Sequence, residues 1–210
     1  MPKSQVVRMY FRRGNNWSLA VKTNQTMLMA LYLRELGGVD PAEAGPNSRL
    51  TSVIKNRNGA DGAHGQFKQE WSAWWGAITA GPIEAEAPPE QALHEQLHLE
   101  GYPALAKLAK AHYGQATLFA QQHADKFVEE SADYVPKRLD ELERILLDRG
   151  VDHDVSAPEQ QIQLIDMPLD EPRAWLTGRA TIVASTCLLQ DSKAFHGFIQ
   201  PMVTIIFPGA

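Results

Sequence analysis

The chain has 210 residues, of which 44% are hydrophobic, 21% charged and 8% aromatic, so it can bury a sizeable core and does not belong to the disordered class. Its single cysteine, Cys187, excludes an internal disulfide and a cysteine-rich zinc module. The net charge of −5 combines a basic part (residues 1–80, ten Lys/Arg and five Asp/Glu) with an acidic part (residues 81–210, ten and twenty). Such blocks can mark a face that binds polyanions or an acidic face that binds a partner, and we favour the simpler interpretation that the two parts neutralise each other within one fold.

The N-terminal residues predict a β-hairpin. Residues 5–11 are rich in β-branched and aromatic side chains, a turn cluster follows, and residues 17–22 alternate large apolar with small or polar side chains. Arg12 and Arg13 stand close to Trp17, and guanidinium groups beside an aromatic ring can bind nucleic acid. An exposed hairpin tip is the alternative that we favour.

The next segment predicts a helix. Thr23 or Asn24 is a suitable N-cap, the apolar residues that follow recur at helical spacing through Leu36, and Gly37 and Gly38 supply the stop. We expect this helix to belong to the core.

Residues 55–65 are glycine-rich and contain the cations Lys55 and Arg57. Glycine-rich loops with cations can hold phosphate, so these two residues extend the nucleic-acid hypothesis. The order of residues matches neither a P-loop nor a dinucleotide-binding fingerprint. A mobile loop is the favoured interpretation, and binding residues often lie on such loops.

Three tryptophans, Trp71, Trp74 and Trp75, are spaced so that they share one face of a helix or its edge. Such a stripe is typical of a packed core. If it is partly exposed, it predicts a binding hot spot, because tryptophan contributes disproportionately to interfaces.

A second helix is predicted between the prolines at 88 and 89 and the break at residues 101–103. It carries His94, Glu95 and His98, with the two histidines one turn apart on the same side. That spacing lets two imidazoles reach one Zn²⁺ while the adjacent carboxylate acts as general base on a metal-bound water.

Residues 94–98 resemble the His-Glu-x-x-His motif of zinc-dependent metallopeptidases, over five residues of the chain. The resemblance implies a third ligand elsewhere in the sequence. Glu129 and Glu130 are the candidates, because their distance from the motif is similar to that of families whose third ligand is a downstream glutamate.

The C-terminal part predicts one amphipathic helix followed by strands. Residues 137–149 have leucines and isoleucine at helical spacing, with charges of both signs between them. Residues 162–165 begin a strand region, residues 180–189 form a long apolar run rich in Thr, Val and Ile, and residues 195–207 return, with Pro201 favouring an edge strand or a bulge. The last two are joined by a short polar turn, which predicts an antiparallel hairpin.

Together these elements predict an α+β fold: a mainly antiparallel sheet formed by the N-terminal hairpin and the C-terminal strands, with a central helical block packed on one face. We expect a single domain, residues 1–210, with an internal boundary in the proline-containing acidic linker at residues 81–89. The basic part then precedes the boundary, the acidic helical part (90–150) follows it, and the C-terminal strands occupy residues 160–207.

The predicted function is that of a non-enzymatic binding protein without a cofactor, holding a protein partner or, through residues 1–80, nucleic acid. The alternative is a zinc-dependent hydrolase built on residues 94–98. Residues 1–5 lack the basic start and apolar stretch of a secretory signal, and no apolar run approaches the roughly 18 residues of a membrane span. We therefore expect a cytoplasmic protein.

Overall fold

The computed structural model describes residues 10–14, 17–41, 48–51, 64–80, 97, 99–151 and 160–208. It is an α+β structure, as predicted. Its elements, in chain order, are β1 Tyr10–Arg13, β2 Trp17–Lys22, α1 Gln25–Leu36, α2 His64–Ala80, α3 Pro103–Glu130, a 3-10 turn Ser131–Asp133, α4 Val135–Asp148, β3 Gln160–Met167, β4 Ala174–Thr177, β5 Thr181–Ser185, α5 Thr186–Gln190 and α6 Ser192–Ile206. Across these described elements, no helix combines the length and the hydropathy needed to cross a membrane.

The five strands form one mixed sheet in the order β1-β2-β3-β5-β4. The outer strands β1 and β4 run antiparallel to β2 and β5, as the predicted N-terminal hairpin requires, whereas β2–β3 and β3–β5 are parallel pairs. The prediction of a mainly antiparallel sheet is therefore corrected to a mixed sheet. Parallel neighbours need a long crossover connection, and helices α1 to α4 lie in the connection between β2 and β3.

The predicted C-terminal hairpin is wrong. Residues 180–189 contain strand β5 and then helix α5, and residues 195–207, predicted as the returning strand, lie almost entirely in α6. The Asp191 side chain caps this helix by accepting the backbone N–H of Lys193 at 2.9 Å. Pro201, which favoured an edge strand or a bulge, lies inside the helix instead. The buried residues of α6 recur every three or four positions, which is the helical period: Phe195, Ile199, Val203 and Ile206.

The chain divides into two compact units. Unit 1 comprises residues 1–23, 124–167 and 171–210, and unit 2 comprises residues 24–123 and 168–170. In unit 1, one face of the sheet packs against α4, α6 and the end of α3, which agrees with the prediction of helices on one face. The buried residues of this core come from both layers and include Leu19, Val21, Ile162, Leu164, Ile182, Leu142, Ile145, Phe195 and Val203.

Unit 2 contains α1, α2 and most of α3. The Asn24 side chain caps α1 by accepting the N–H of Met27 at 2.9 Å, and Gly38 follows the helix with a φ of 69°. Both ends of this helix are therefore as predicted. At the start of α3, the buried Glu70 carboxylate accepts the backbone N–H of Leu105 at 2.8 Å. A negative charge at a helix N-terminus is favourable because the first N–H groups lack partners within the helix.

We expect Glu70→Gln to lower the free energy of unfolding by about 0.3–1 kcal/mol, because the amide keeps an acceptor for the Leu105 N–H but removes the charge. Chemical denaturation followed by far-UV circular dichroism measures this change. The matched control is Glu129→Gln: Glu129 is an exposed carboxylate at the other end of α3, where removing a negative charge is neutral or slightly stabilising. Equal losses in both variants would contradict the capping role of Glu70.

Candidate functional site

Arg12, one of the predicted nucleic-acid contacts, is held by two carboxylates of α4. Its Nη1 donates to Asp140 and, at 2.5 Å, to Glu143 Oε2. The hydrogen bond to Asp140 raises the pKa of Arg12 above its ordinary value, so the guanidinium carries its charge within an ion-pair cluster. A phosphate would have to displace two carboxylates to bind it. Here the charge of a basic N-terminal residue is neutralised by two acidic residues far along the chain. For these residues, the basic and acidic parts of the chain neutralise each other within the fold.

Arg13 and Trp17, the other described residues of the basic hypothesis, do not form a binding surface with Arg12. Arg13 is exposed and alternates with Arg12 along β1, so the two side chains lie on opposite faces of the strand. Trp17 is 1% exposed and belongs to the core of unit 1, so its ring offers no surface for base stacking. Lys55 and Arg57 lie outside the described residues, and the nucleic-acid hypothesis stays a prediction.

The tryptophan stripe lies in the core of unit 2. Trp71, Trp74 and Trp75 are 0%, 1% and 7% exposed. The indole N–H of Trp71 donates to the Ala30 carbonyl at 2.8 Å and that of Trp74 to the Leu97 carbonyl at 2.7 Å. Trp71 and Trp75 stack with 5.3 Å between ring centroids. Exposure was the condition for a binding role, and these side chains do not meet it.

Arg34 completes this core and was not singled out from the sequence. It is fully buried, its guanidinium lies 5.9 Å from the centroid of the Trp71 ring, and it donates to Glu35 Oε1 at 2.7 Å and to the Ser48 carbonyl at 2.6 Å. Burial lowers the pKa of Arg34 from its ordinary value. The Asp170 carboxylate in turn accepts the Ser48 hydroxyl at 2.8 Å. These contacts fix chain segments within unit 2, and no sequence pattern marks them.

The zinc hypothesis stays a prediction. His94, Glu95 and His98 lie outside the described residues. Of the candidate third ligands, Glu129 is exposed and Glu130 lies 3.8 Å from the Lys126 ammonium. Over the ranges that the structure describes, no group of three His, Cys, Asp or Glu side chains could hold a metal ion.

Polar side chains gather at the carboxyl ends of β3 and β5 in unit 1, an edge where parallel sheets often bind ligands. Asp166 is fully buried and accepts the Thr186 hydroxyl at 2.8 Å. Burial, and to a lesser extent the charge of Asp166, raise the pKa of Tyr134, so its phenol stays protonated. The Ser185 hydroxyl accepts backbone N–H groups of Arg173 and Leu188, at 3.0 and 3.3 Å. These groups fix the ends of strands and the start of α5.

The outward side of α6 exposes two large apolar side chains. Ile205 is 64% and Phe198 36% exposed, although the opposite side of the helix is buried in the core of unit 1. The helix carries no acidic residue, and its ionisable side chains, Lys193 and His196, both lie in its N-terminal half. We name this surface the α6 outer face, formed by Ala194, Gly197, Phe198, Pro201, Met202 and Ile205.

The sequence did not reveal this surface because residues 195–207 predict a strand, in which alternate side chains face opposite sides. The helical recurrence of Ala194, Phe198, Met202 and Ile205 beside the buried series was the signal that could have found it.

The chain matches no family model, no curated protein and no solved structure.

Proposed function

We propose that this chain is a non-enzymatic, cytoplasmic interaction protein that holds a protein partner on the α6 outer face. The observation that carries the proposal is the exposure of Ile205 and Phe198 on a helix whose other side is already buried. Fully burying an aliphatic or aromatic side chain contributes about 1.5–3 kcal/mol. Covering the exposed parts of these two residues would supply a substantial share of a binding free energy.

The composition of the face supports a protein partner over nucleic acid. Nucleic-acid surfaces need several cations to neutralise phosphates, whereas the core of a protein–protein interface is depleted of charge and rich in large apolar residues. None of the six residues of the α6 outer face is charged. Arg12, one of the cations of the nucleic-acid hypothesis, forms ion pairs with Asp140 and Glu143.

Contacts with α4 and with Arg149, the residue that follows it, hold α6 at both ends, which supports a preformed docking surface. Near the N-terminal end, the Ser192 hydroxyl donates to Glu141 at 3.2 Å, and the Arg138 guanidinium lies 5.5 Å from the centroid of the Phe195 ring. Near the C-terminal end, Arg149 donates to the Thr204 hydroxyl at 3.0 Å and to the Phe207 carbonyl at 3.3 Å. A surface that is ordered before binding loses less conformational entropy when the partner arrives.

Site-specific photocrosslinking in the cell tests the proposal. A photoreactive amino acid at position 205 is expected to give a protein adduct of defined mass. The matched control is position 118, because Leu118 is similarly exposed (57%) on α3 but lies between Gln115 and Gln122 along its helix face. No adduct at position 205, or the same set of adducts at both positions, would refute the α6 outer face as the docking surface.

A further inference from the structure

We infer that the edge strand β1 is held on helix α4 by an electrostatic latch, so that ionic strength controls the local opening of this strand. The Arg12 latch consists of the Arg12 guanidinium and the carboxylates of Asp140 and Glu143, to which it donates. All three residues belong to unit 1. The α6 outer face takes no part in the latch, so the proposed function can fail without affecting it.

Strand β1 is the kind of element that opens locally. It has four residues, and within the described sheet it pairs on one side only, with β2. Phe11 points away from the core of unit 1 and is 58% exposed, so little apolar burial holds the strand on that face. Elements with few buried contacts open at a lower free-energy cost than the central strands of a sheet.

The side chains that attach β1 to the helices end in polar groups. Tyr10 and Arg12 share one face of the strand, because side chains alternate. The Tyr10 hydroxyl accepts the Ser131 hydroxyl at 3.1 Å, and its ring meets the Phe127 ring edge-on at 6.2 Å between centroids. Tyr10 therefore contacts the end of α3 and the turn after it, whereas Arg12 contacts α4. The ion pairs of Arg12 are thus a large part of what holds β1 to the helical layer.

Glu143 depends on Arg12 for a counter-charge more than Asp140 does. On α4, Lys137 and Arg144 stand about one turn from Asp140 and can partly replace Arg12 there. The positions one turn from Glu143 are three leucines and Asp140 itself. When β1 opens, Glu143 loses its cation and keeps a like charge as its neighbour. Closing the latch is therefore favoured mainly through Glu143.

Salt can reach the latch. The side chains of Arg12 and Glu143 are each 33% exposed, and that of Asp140 is 55% exposed. The distance over which charges interact falls from about 10 Å at 0.1 M salt to about 3 Å at 1 M. Ion pairs with this exposure contribute modestly to stability. A modest contribution is enough to change the opening of a four-residue strand while the central strands stay closed.

The latch keeps the edge of β2 covered. Residues 10–13 of β1 pair with residues 18–21 of β2, whose other side is paired with β3. Opening of β1 leaves backbone N–H and C=O groups of β2 without their outer partners. An uncovered edge of this kind accepts an added strand from another chain. Ionic strength therefore sets how often this edge is available.

Hydrogen–deuterium exchange of the full chain, read by mass spectrometry, tests the latch. Exchange rates report the fraction of time that a strand is open. Raising NaCl from about 0.05 M to about 1 M is expected to speed exchange in residues 10–13 by about threefold to tenfold. The internal control is β4, the other outer strand, which also has four residues but no charged side chain. Its exchange is expected to stay the same.

Variants assign the salt response to the latch. Glu143→Gln is expected to speed exchange of β1 at low salt and to remove most of the further increase at high salt. The matched control is Asp148→Asn, which removes one negative charge from an exposed position of the same helix and is expected to keep the full response. Far-UV circular dichroism shows that both variants retain the fold.

Three results would overturn the inference. The first is exchange of β1 that does not depend on salt in the wild type, a measurement that needs no variant. The second is an equal acceleration in β1 and β4, which would show a general effect of salt on the sheet. The third is a Glu143→Gln variant that is folded and responds to salt as strongly as Asp148→Asn.

Discussion

Replacing Trp71 by alanine is expected to lower the free energy of unfolding by about 3–5 kcal/mol, the range measured for large aromatic residues removed from a core. Trp71 is fully buried, stacks on Trp75 and lies beneath the Arg34 guanidinium. The truncation leaves a cavity and removes the cation–π contact of a buried charge. Urea denaturation, followed by tryptophan fluorescence and by far-UV circular dichroism, measures the change.

The control for Trp71 is Leu118→Ala in the same unit. Leu118 is 57% exposed, and substitutions at such surface sites usually stay within about 0.5 kcal/mol of wild type. A Trp71→Ala variant as stable as Leu118→Ala would contradict the buried arrangement. It would favour the alternative interpretation, in which the tryptophan stripe is a binding hot spot. The intermediate variant Trp71→Phe keeps the aromatic face but loses the N–H donated to Ala30. It is expected to lie between wild type and alanine.

The elements that were predicted correctly are those whose causes lie within a few residues. Asn24 caps α1 through its own side chain, and Gly38 takes the positive φ that ends the helix. Helix α4 followed from Leu139, Leu142 and Ile145, which are all buried. A helix cap or an amphipathic period can be recognised without knowing the rest of the chain, so the sequence alone is sufficient to predict it.

The elements that were missed depend on residues far apart in the chain. The parallel pairing of β2 with β3 joins Leu19 to Ile162, and no local pattern states which strands become neighbours. In α6, the run of Val, Thr and Ile near residue 205 has a strand composition, but burial of one side against the sheet of unit 1 selects the helix. Tertiary packing overrides weak local propensity in this way.

The candidate site was less predictable than the fold. Basic residues next to Trp17 suggested binding, but the partners of Arg12 are Asp140 and Glu143, 128 and 131 residues away. Whether a charge is free or paired is a property of the folded chain. The exposure of Ile205 is also such a property, because the sequence shows an apolar residue but not which side of the helix the core takes.

Gly37→Ala is expected to destabilise the protein by about 1–3 kcal/mol, the range for a group forced into a well-packed region. Gly37 has φ −75° and ψ −4°, which any residue adopts, so the backbone is not the cause. A Cβ at this position would lie 2.1 Å from Cε1 of the buried Phe67 ring. The ring is held in the core of unit 2, and either the ring or the end of α1 must move. Differential scanning calorimetry measures the fall in melting temperature.

In the matched control, the expected change in stability has the opposite sign. Gly76→Ala makes the same chemical change at an exposed position inside α2, where an added Cβ would meet nothing within 4 Å. Because alanine is the better helix former, this variant is expected to gain about 0.5–1 kcal/mol. The double variant Gly37→Ala/Phe67→Leu isolates the clash, since the smaller side chain gives the methyl group room. It should lose less stability than the sum of the two single losses. Additive losses would show that the ring of Phe67 is not what excludes a side chain at Gly37.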